Sequence, residues 1–240
     1  MDKLAVISDI HSNLEALTSV LNDISGQSIQ KIVSLGDNIG YGPDPEAVLL
    51  KLKSHLVTSI LGNHEFAILN DSYKRLFNIN AIMALDINQK KLSSSSIQYI
   101  SSLDSSLVLY GALFIHGISL NLIDGYIFNL SDAQLIKRVK KIHARIVFVG
   151  HTHRLKIYEF DNKGLKKKEF TQKISLLGDK QYIINAGSVG QPRHGAHEAS
   201  YVIWDIQKNT VEPKFVTYNH HHTAIKIKQA GLPQIYADIL

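Results

Sequence analysis

Short apolar runs, rich in β-branched residues, recur along the chain and constrain its fold more than any other feature. The five clearest runs cover residues 4–7, 31–35, 56–61, 112–115 and 145–149. Nearly continuous apolar runs of this length are typical of strands that are buried on both faces. The sequence therefore predicts a core built around strands, with several of them in the first 150 residues.

Helical patterns lie between several of these runs. Apolar residues spaced three to four apart predict a helix over residues 14–24, a second helix that follows Pro45, and a helical stretch over residues 78–103. Residues suited to helix starts accompany these patterns, namely Ser12 or Asn13 for the first, Pro45 for the second, and Ser96 for residues 97–103.

The last third of the chain predicts a meander of strands. Residues 155–161 and 166–174 flank the turn sequence Asn162-Lys163-Gly164 and predict a hairpin. Further strands are predicted over residues 182–184, 201–206 and 210–218, followed by a helical end from 223 to 240 with a break at 231–233. Strands and helices in this order predict one α/β domain over residues 1–240, with two packed sheets flanked by helices.

The composition limits the chemistry that the chain can perform. Of its 240 residues, 45% are hydrophobic, which is enough for a sizeable core. Cysteine is absent, so any metal must be held by oxygen and imidazole ligands. The net charge of +5 favours anionic ligands but is too small to predict a nucleic-acid partner. We see no signal peptide and no apolar run of the roughly 20 residues that span a bilayer, so we expect a cytoplasmic protein without a membrane partner.

Each of the five apolar runs ends in residues of the kind that bind metals. Ligands in open α/β sheets gather at the carboxyl ends of strands, so side chains at several strand ends can converge on one site. The five sequences are Asp9-Ile10-His11, Gly36-Asp37, Gly62-Asn63-His64-Glu65, His116-Gly117 and Gly150-His151-Thr152-His153.

Taken singly, these signals are weak. An Asp-x-His after a strand is more often a turn with a capping aspartate, and a lone His116 is more often a packed or surface histidine. The combination is harder to explain structurally, because burying carboxylate, amide and imidazole groups without partners costs several kcal/mol. The set as a whole therefore predicts a metal site.

In this order, these residues resemble the signature of the calcineurin-like metallophosphoesterase family. Two loops, residues 40–45 and 185–193, resemble the bacterial and archaeal subfamily of small phosphodiesterase-like proteins. The resemblance implies a four-layer α/β/β/α sandwich with two mixed sheets, in agreement with the predicted strands.

The resemblance also implies a role for each site residue. One metal would be held by Asp9, His11, Asp37 and His153, and the other by Asp37, Asn63, His116 and His151, with Asp37 bridging the two. His64 is not a metal ligand in the family. It would contact the phosphate, as Asn63 would, and stabilise or protonate the leaving oxygen.

Two divalent transition-metal ions fit this ligand set. Mixed nitrogen and oxygen ligands suit Mn, Fe, Co, Ni or Zn better than Mg or Ca, and we expect Mn to support activity in vitro. A bound metal can lower the pKa of water to about 7, so that hydroxide is available as a nucleophile at neutral pH. The ions also neutralise the phosphoryl oxygens during an in-line displacement.

Several residues have two interpretations. Arg193 is either a clamp for a phosphate oxygen or a surface arginine, and the sequence favours neither. Tyr41 either stacks on a substrate group or, more often at such positions, packs its own loop. The run His220-His221-His222 looks like a metal sequence but has no carboxylate nearby in the sequence, so an exposed turn is predicted there.

We expect the substrate to be a small anionic phosphate ester or a nucleotide. The sequence leaves four functions open. A phosphodiesterase comes first and a dinucleoside polyphosphate hydrolase second. A protein phosphatase is disfavoured, because Gly40, Tyr41 and Gly42 occupy the positions of the Asp-Arg-Gly that those enzymes carry. A non-catalytic scaffold, such as the retromer subunit of the same fold, is disfavoured by the complete ligand set. We expect loops near the site, particularly a helical insertion over residues 65–110, to fix the substrate.

Overall fold

The computed structural model describes residues 3–118, 127–193, 195 and 197–240. Within these residues the chain forms two six-stranded sheets, and each sheet contains both parallel and antiparallel pairs. The first sheet has the order β3 (Thr58–Ser59), β2 (Lys31–Ser34), β1 (Lys3–Ile7), β11 (Glu198–Asp205), β12 (Thr210–Thr217) and β9 (Ile174–Ser175).

The second sheet contains three of the six described strands that lie after residue 154. Its order is β4 (Ser106–Leu109), β5 (Ala112–Ile115), β6 (Ile146–Val149), β10 (Gln181–Ala186), β7 (Leu155–Asp161) and β8 (Gly164–Glu169). In the first sheet β1, β2 and β3 are parallel, and in the second β5, β6 and β10 are parallel. The carboxyl ends of parallel neighbours lie at the same edge of a sheet, which is where the predicted site residues occur.

The helices pack on the outer faces of the two sheets. The described residues form α1 (Leu14–Ser25), α2 (Pro45–Ser54), α3 (Asn63–Leu69), α4 (Asp71–Lys74), α5 (Ile79–Lys91), α6 (Ser94–Ser101), α7 (Asp132–Val139), α8 (His220–Gln229) and α9 (Ile235–Asp238). A short 3-10 helix covers Ile127–Asn129. The side chain of Asn13 accepts a hydrogen bond from the Ala16 N–H and caps α1, as one of the two predicted candidates.

Three apolar clusters show how the layers stack. Strand β1 contributes to two of them because successive side chains point to opposite faces of a strand. Leu4 and Val6 belong to the cluster between the two sheets, whereas Ala5 and Ile7 face α1 and α2. A third cluster joins the outer face of the second sheet to α7. The result is the four-layer α/β/β/α sandwich that the resemblance implies.

The structure corrects several predicted elements in the first half of the chain. The predicted strand over residues 56–61 is only two residues long, Thr58–Ser59. Ser96 is not a helix cap, because the side chain of Ser93 accepts a hydrogen bond from the Ser96 N–H and α6 begins at Ser94. The range 65–110, predicted to be helical, also contains the strand Ser106–Leu109.

Two further corrections concern the last third. The predicted strand over residues 166–174 divides, because β8 ends at Glu169 and Ile174–Ser175 pairs with β12 in the other sheet. His220-His221-His222 is not a turn but the first turn of α8, capped by the side chain of Asn219. In the described part of the chain, no helix is long and apolar enough to cross a membrane.

Candidate metal centre

Loops that follow five strands converge at one edge of the sandwich. Asp9 and His11 follow β1, Asp37 follows β2, Asn63 and His64 follow β3, His116 follows β5, and His151 and His153 follow β6. Every one of these side chains is buried. The structure thus brings together all the predicted ligands and His64.

The first group of ligand atoms lies between the β1 and β6 loops. Asp9 Oδ1 lies 3.3 Å from His153 Nε2, and His11 Nε2 lies 3.1 Å from the same nitrogen. Asp37 Oδ2 lies 3.8 Å from His11 Nε2. The Asp9, His11 and His153 atoms are close enough to one another to hold a single ion.

The second group shares Asp37 with the first. Asp37 Oδ2 lies 3.3 Å from His116 Nε2, which in turn lies 2.9 Å from Asn63 Oδ1. The ring of His151 meets the ring of His116 edge-on, with centroids 5.1 Å apart. Asp37, His116 and His151 form another set that can hold an ion, and so do His11, Asp37 and His64, so Asp37 belongs to two of these three sets.

Hydrogen bonds on the far side of the rings show that these atoms suit cations. Nδ1 of His11 lies 3.1 Å from the Ile39 carbonyl, and Nδ1 of His153 lies 2.7 Å from the Gln191 carbonyl. A carbonyl oxygen only accepts, so each Nδ1 donates and each Nε2 presents a lone pair. The two lone pairs face one another at 3.1 Å, an arrangement that a cation between them would stabilise.

His116 and Asp9 also face the other ligand atoms. Nδ1 of His116 donates to the Leu35 carbonyl at 2.8 Å, and its Nε2 lies 2.9 Å from Asn63 Oδ1. Burial lowers the pKa of His116, but the Asp37 carboxylate outweighs burial and raises that pKa to about 9, so this ring must lose a proton to bind a metal. Asp9 Oδ1 is buried and has no hydrogen-bond partner in the described part of the chain. Because buried polar atoms are rarely left unpaired, these converging acceptors fit positive ions.

The pKa values of the site reflect burial and crowding. Burial raises the pKa of Asp9 to about 7. Burial also raises the pKa of Asp37, but His116 and His64 outweigh it and hold that pKa well below its usual range. Burial lowers the pKa values of His11 and His153, and lowers that of His64 to about 4, so these imidazoles are neutral at neutral pH. Neutral imidazole is the form that binds metals.

Backbone strain is concentrated in the same loops. Five of the seven predicted ligands have positive φ, namely Asp9 (53°), His11 (48°), Asp37 (52°), His151 (68°) and His153 (60°). This conformation costs an L-residue roughly 1–2 kcal/mol and clusters at functional sites. Backbone bonds between loops fix it, because the His11 N–H donates to the Asp37 carbonyl at 2.9 Å.

Aromatic rings surround the side chain of His64. Tyr41 and Phe77 meet its ring edge-on, with centroids 4.5 Å and 5.1 Å away. Its Nε2 lies 3.8 Å from Asp37 Oδ2, and its Nδ1 is buried without a hydrogen-bond partner among the described residues. Nδ1 approaches Gly40 so closely that a Cβ at that position would collide with it, and φ of Gly40 is +94°. Glycine at position 40 therefore makes room for the His64 ring.

Glu65 connects the β2 and β3 loops and was not identified as a functional residue from the sequence. Its Oε1 accepts from the N–H groups of Asn38 and Ile39, at 2.6 Å and 3.2 Å. Its Oε2 accepts from the N–H groups of Asp37 and Gly62, at 2.8 Å and 3.0 Å. One carboxylate thus fixes the loops that carry Asp37 and Asn63. The only sequence signal is its position next to His64.

Asn88, from α5, holds the loop that contains Tyr41 and was also missed. Its Oδ1 accepts from the Gly40 N–H at 2.8 Å and from the Ser12 hydroxyl at 2.7 Å. Its Nδ2 donates to the Gly42 carbonyl at 3.0 Å. Asn88 is fully buried. Nothing in the local sequence distinguishes it from an ordinary helical asparagine.

The residues with two interpretations have different surroundings. Arg193 is exposed, and its Nη2 donates to Gln191 Oε1 at 3.2 Å. Tyr41 stacks on Tyr236, with centroids 4.5 Å apart, so it packs its loop as well as lining the site. In the described residues, the groups able to hold a metal do not include the run from His220 to His222.

A cavity of about 460 Å³ opens beside His64. Its lining consists of Asp37, Tyr41, Asn63, His64, Tyr73, Leu76, Phe77, Asn78, His151 and His153. Predicted ligands of both sets therefore reach a space large enough for a small organic phosphate. Tyr41, Tyr73 from α4, and Leu76, Phe77 and Asn78 from the turn before α5 form the rest of the lining.

This chain is similar to known proteins over almost its whole length. Residues 3–209 match the pattern of the calcineurin-like phosphoesterase superfamily domain. An uncharacterized protein of Methanocaldococcus jannaschii is 34% identical over 244 aligned positions, which cover 96% of this chain and 94% of the relative.

Two solved structures have a similar fold. A metallophosphoesterase from Sphaerobacter thermophilus has a TM-score of 0.82 and 27% identity, and the match covers 99% of this chain and 97% of that one. A hypothetical protein from Pyrococcus horikoshii shares the fold, with a TM-score of 0.80 and 21% identity over 100% of this chain and 98% of that one. The fold, the converging loops and the sequence match lead to one conclusion: the chain belongs to the calcineurin-like phosphoesterase superfamily.

Proposed function

We propose that this protein hydrolyses phosphodiesters with the help of two divalent transition-metal ions. The observation that carries the proposal is the convergence of acceptor atoms, above all the two imidazole lone pairs of His11 and His153 that face one another at 3.1 Å. Asp9, His11, Asp37 and His153 would hold one ion, and Asp37, Asn63, His116 and His151 the other. Such ions supply activated water and neutralise phosphoryl charge when bound.

The role proposed for His64 is to act on the leaving group. Its ring lines the cavity, and the two rings that flank it restrict its orientation. Its Nε2 lies near Asp37, on the side of the predicted ions. From that position a neutral imidazole can hydrogen-bond to an oxygen of the substrate, which is the geometric requirement for general acid–base catalysis.

A diester fits the charge of the site better than a monoester does. A monoester carries nearly two negative charges at neutral pH, and enzymes that favour monoesters add guanidinium groups because arginine binds phosphate in a bidentate way. Position 41 holds a tyrosine, and Arg193, whose charge adds to burial in lowering the pKa of His64, lies outside the cavity lining. The two ions and His64 would therefore neutralise most of the phosphate charge, which favours the singly charged ester.

Comparing two nitrophenyl esters tests the proposal. We expect the Mn-loaded protein to hydrolyse bis(p-nitrophenyl) phosphate with a higher kcat/KM than p-nitrophenyl phosphate, once each rate is divided by the uncatalysed rate. Chelator-treated protein is the control. If the corrected kcat/KM of the monoester is higher by about tenfold or more, which corresponds to about 1.4 kcal/mol, the diesterase proposal is wrong. If no divalent ion supports hydrolysis of any ester, the proposal that this protein is a phosphoesterase is wrong.

A further inference from the structure

The cavity beside His64 has two chemically different parts. Its floor consists of predicted metal ligands, which are polar and belong to the strand-end loops. One wall consists of Tyr73, Leu76, Phe77 and Asn78, which come from the end of α4 and the turn before α5. The reactive phosphate belongs on the floor, so the wall faces whatever the phosphate carries.

Three of the four wall residues are aromatic or aliphatic, and the wall begins in direct contact with His64. The Phe77 ring meets the His64 ring edge-on at 5.1 Å and the Tyr73 ring at 5.8 Å. Leu76 lines the same cavity and is nevertheless 78% exposed, which is unusual for a large aliphatic side chain at the mouth of a polar site. Apolar surface of this kind gains free energy when an apolar group of a ligand covers it.

The charges around the wall argue against a phosphate chain in this position. In the part of the chain that the structure describes, the cavity lining contains no lysine or arginine. Two cations adjoin the wall in sequence: Lys74 is paired with Asp71 at 3.3 Å and with Asp86 at 2.9 Å, and Arg75 is exposed and outside the lining. A leaving group with further phosphates would therefore meet no cation of the lining there, whereas a planar ring would meet aromatic rings and an aliphatic side chain.

We propose that Tyr73, Leu76 and Phe77 form a subsite for a planar aromatic group that is part of the alcohol esterified to the reactive phosphate on the His64 side. This inference rests on the proposed function and specifies its substrate. Water would form the new bond to phosphorus and lose a proton, the bond from phosphorus to the oxygen of the leaving alcohol would break, and that oxygen would take up a proton beside His64. An aryl ester and a nucleoside ester both satisfy this chemistry.

Equilibrium binding of phosphonates tests the subsite without requiring turnover. We expect the Mn-loaded protein to bind phenylphosphonate about tenfold more tightly than methylphosphonate in isothermal titration calorimetry. The preference should fall about threefold in Leu76→Ser and disappear when Phe77→Ser is added. Each comparison uses one protein and two ligands, so any disturbance of His64 or of the ions affects both ligands and cancels in the ratio.

Ile79 offers a matched control. It is 69% exposed and lies three residues from Leu76, but it does not line the cavity. Ile79→Ser should keep the full preference for the phenyl group. Equal binding of the two phosphonates to the unmodified protein overturns the proposal, and so does a preference that survives in the double variant.

A second ligand pair identifies the source of the aromatic group. A Leu76-dependent preference for adenosine 5′-methylphosphonate over methyl methylphosphonate supports a nucleoside ester. Preference for the phenyl ligand alone supports an aryl ester. Failure of the subsite and failure of the proposed function are distinguishable. Mn-dependent hydrolysis without a preference for phenylphosphonate refutes only the subsite. A Leu76-dependent preference for phenylphosphonate without hydrolysis of any ester refutes only the function.

Discussion

Replacing Glu65 with glutamine tests how the loops of the candidate site are held. The carboxylate accepts four backbone hydrogen bonds, two on each oxygen. Glutamine has the same shape but only one acceptor oxygen, and its NH₂ group would face two of the four N–H donors. A buried donor left without a partner costs about 1–3 kcal/mol. Two such donors give an expected loss of about 2–6 kcal/mol in the free energy of unfolding.

Urea unfolding of the metal-free protein measures this loss. Glu46→Gln is the control, because Glu46 accepts from the N–H and hydroxyl of Ser93 at 3.0 Å and 2.8 Å in an exposed position. Water can replace those bonds, so the control should change the free energy of unfolding by no more than about 0.5 kcal/mol. The dependence on urea should keep its slope in both variants if the native state stays compact.

Metal affinity provides a second measurement on the same variant. Glu65 fixes the N–H groups of Asp37 and of Gly62, which precedes Asn63. Groups that orient metal ligands typically contribute about 10–100-fold to affinity, so Glu65→Gln should weaken Mn binding by that factor. The reasoning is wrong if the free energy of unfolding of Glu65→Gln lies within about 0.5 kcal/mol of that of the unmodified protein and its Mn affinity is unchanged.

Three other substitutions separate the roles of neighbouring residues. Asp37→Ala should abolish Mn-dependent hydrolysis and lower the bound Mn per chain, measured by elemental analysis, whereas Asp71→Ala on the surface should change neither. His64→Ala should keep its Mn but lower kcat by about 10²–10⁴-fold, and the loss should shrink for esters with good leaving groups, which need no proton. Asn88→Leu should reduce the free energy of unfolding by about 2–5 kcal/mol, because three buried groups lose their partner.

The positions of the site residues were predictable because strand ends have a strong sequence signal. Apolar runs mark where each strand stops, and Asp9, Asp37 and His116 stand directly beyond those stops. Parallel neighbours place Asp9 and Asp37 at one edge of the first sheet, and the packing of the two sheets brings His116 from the second sheet beside them. Convergence of the loops is therefore confirmed, while the role of each residue stays a prediction.

Glu65 and Asn88 could not be identified in this way, because their importance depends on contacts between distant parts of the chain. Glu65 binds N–H groups up to 28 residues away, and Asn88 binds the Gly40 N–H from 48 residues away. Backbone donors are present in almost every residue, so no side-chain pattern identifies which of them a buried carboxylate or amide will accept from.

Errors at helix starts have local causes. Four consecutive serines make each of them a candidate cap, and only the Ser93 hydroxyl meets the N–H three residues on. The three histidines from position 220 have modest helix propensity, yet Asn219 caps them and α8 packs on α1 and α9. Helix α7 went unpredicted although Ser131 and Gln134 form a capping box.

Buried hydrogen bonds help to keep the ligand loops in their strained shape. Asn185 Nδ2 donates to the Gly150 carbonyl at 2.7 Å, just before His151, and the Ser188 hydroxyl donates to the Asp9 carbonyl at 2.8 Å. With Glu65 and Asn88, these buried bonds reach the β1, β2, β3 and β6 loops and support the positive φ values of the candidate ligands. Preorganisation of this kind keeps acceptor atoms close together despite their mutual repulsion, and that repulsion is what a bound cation would relieve.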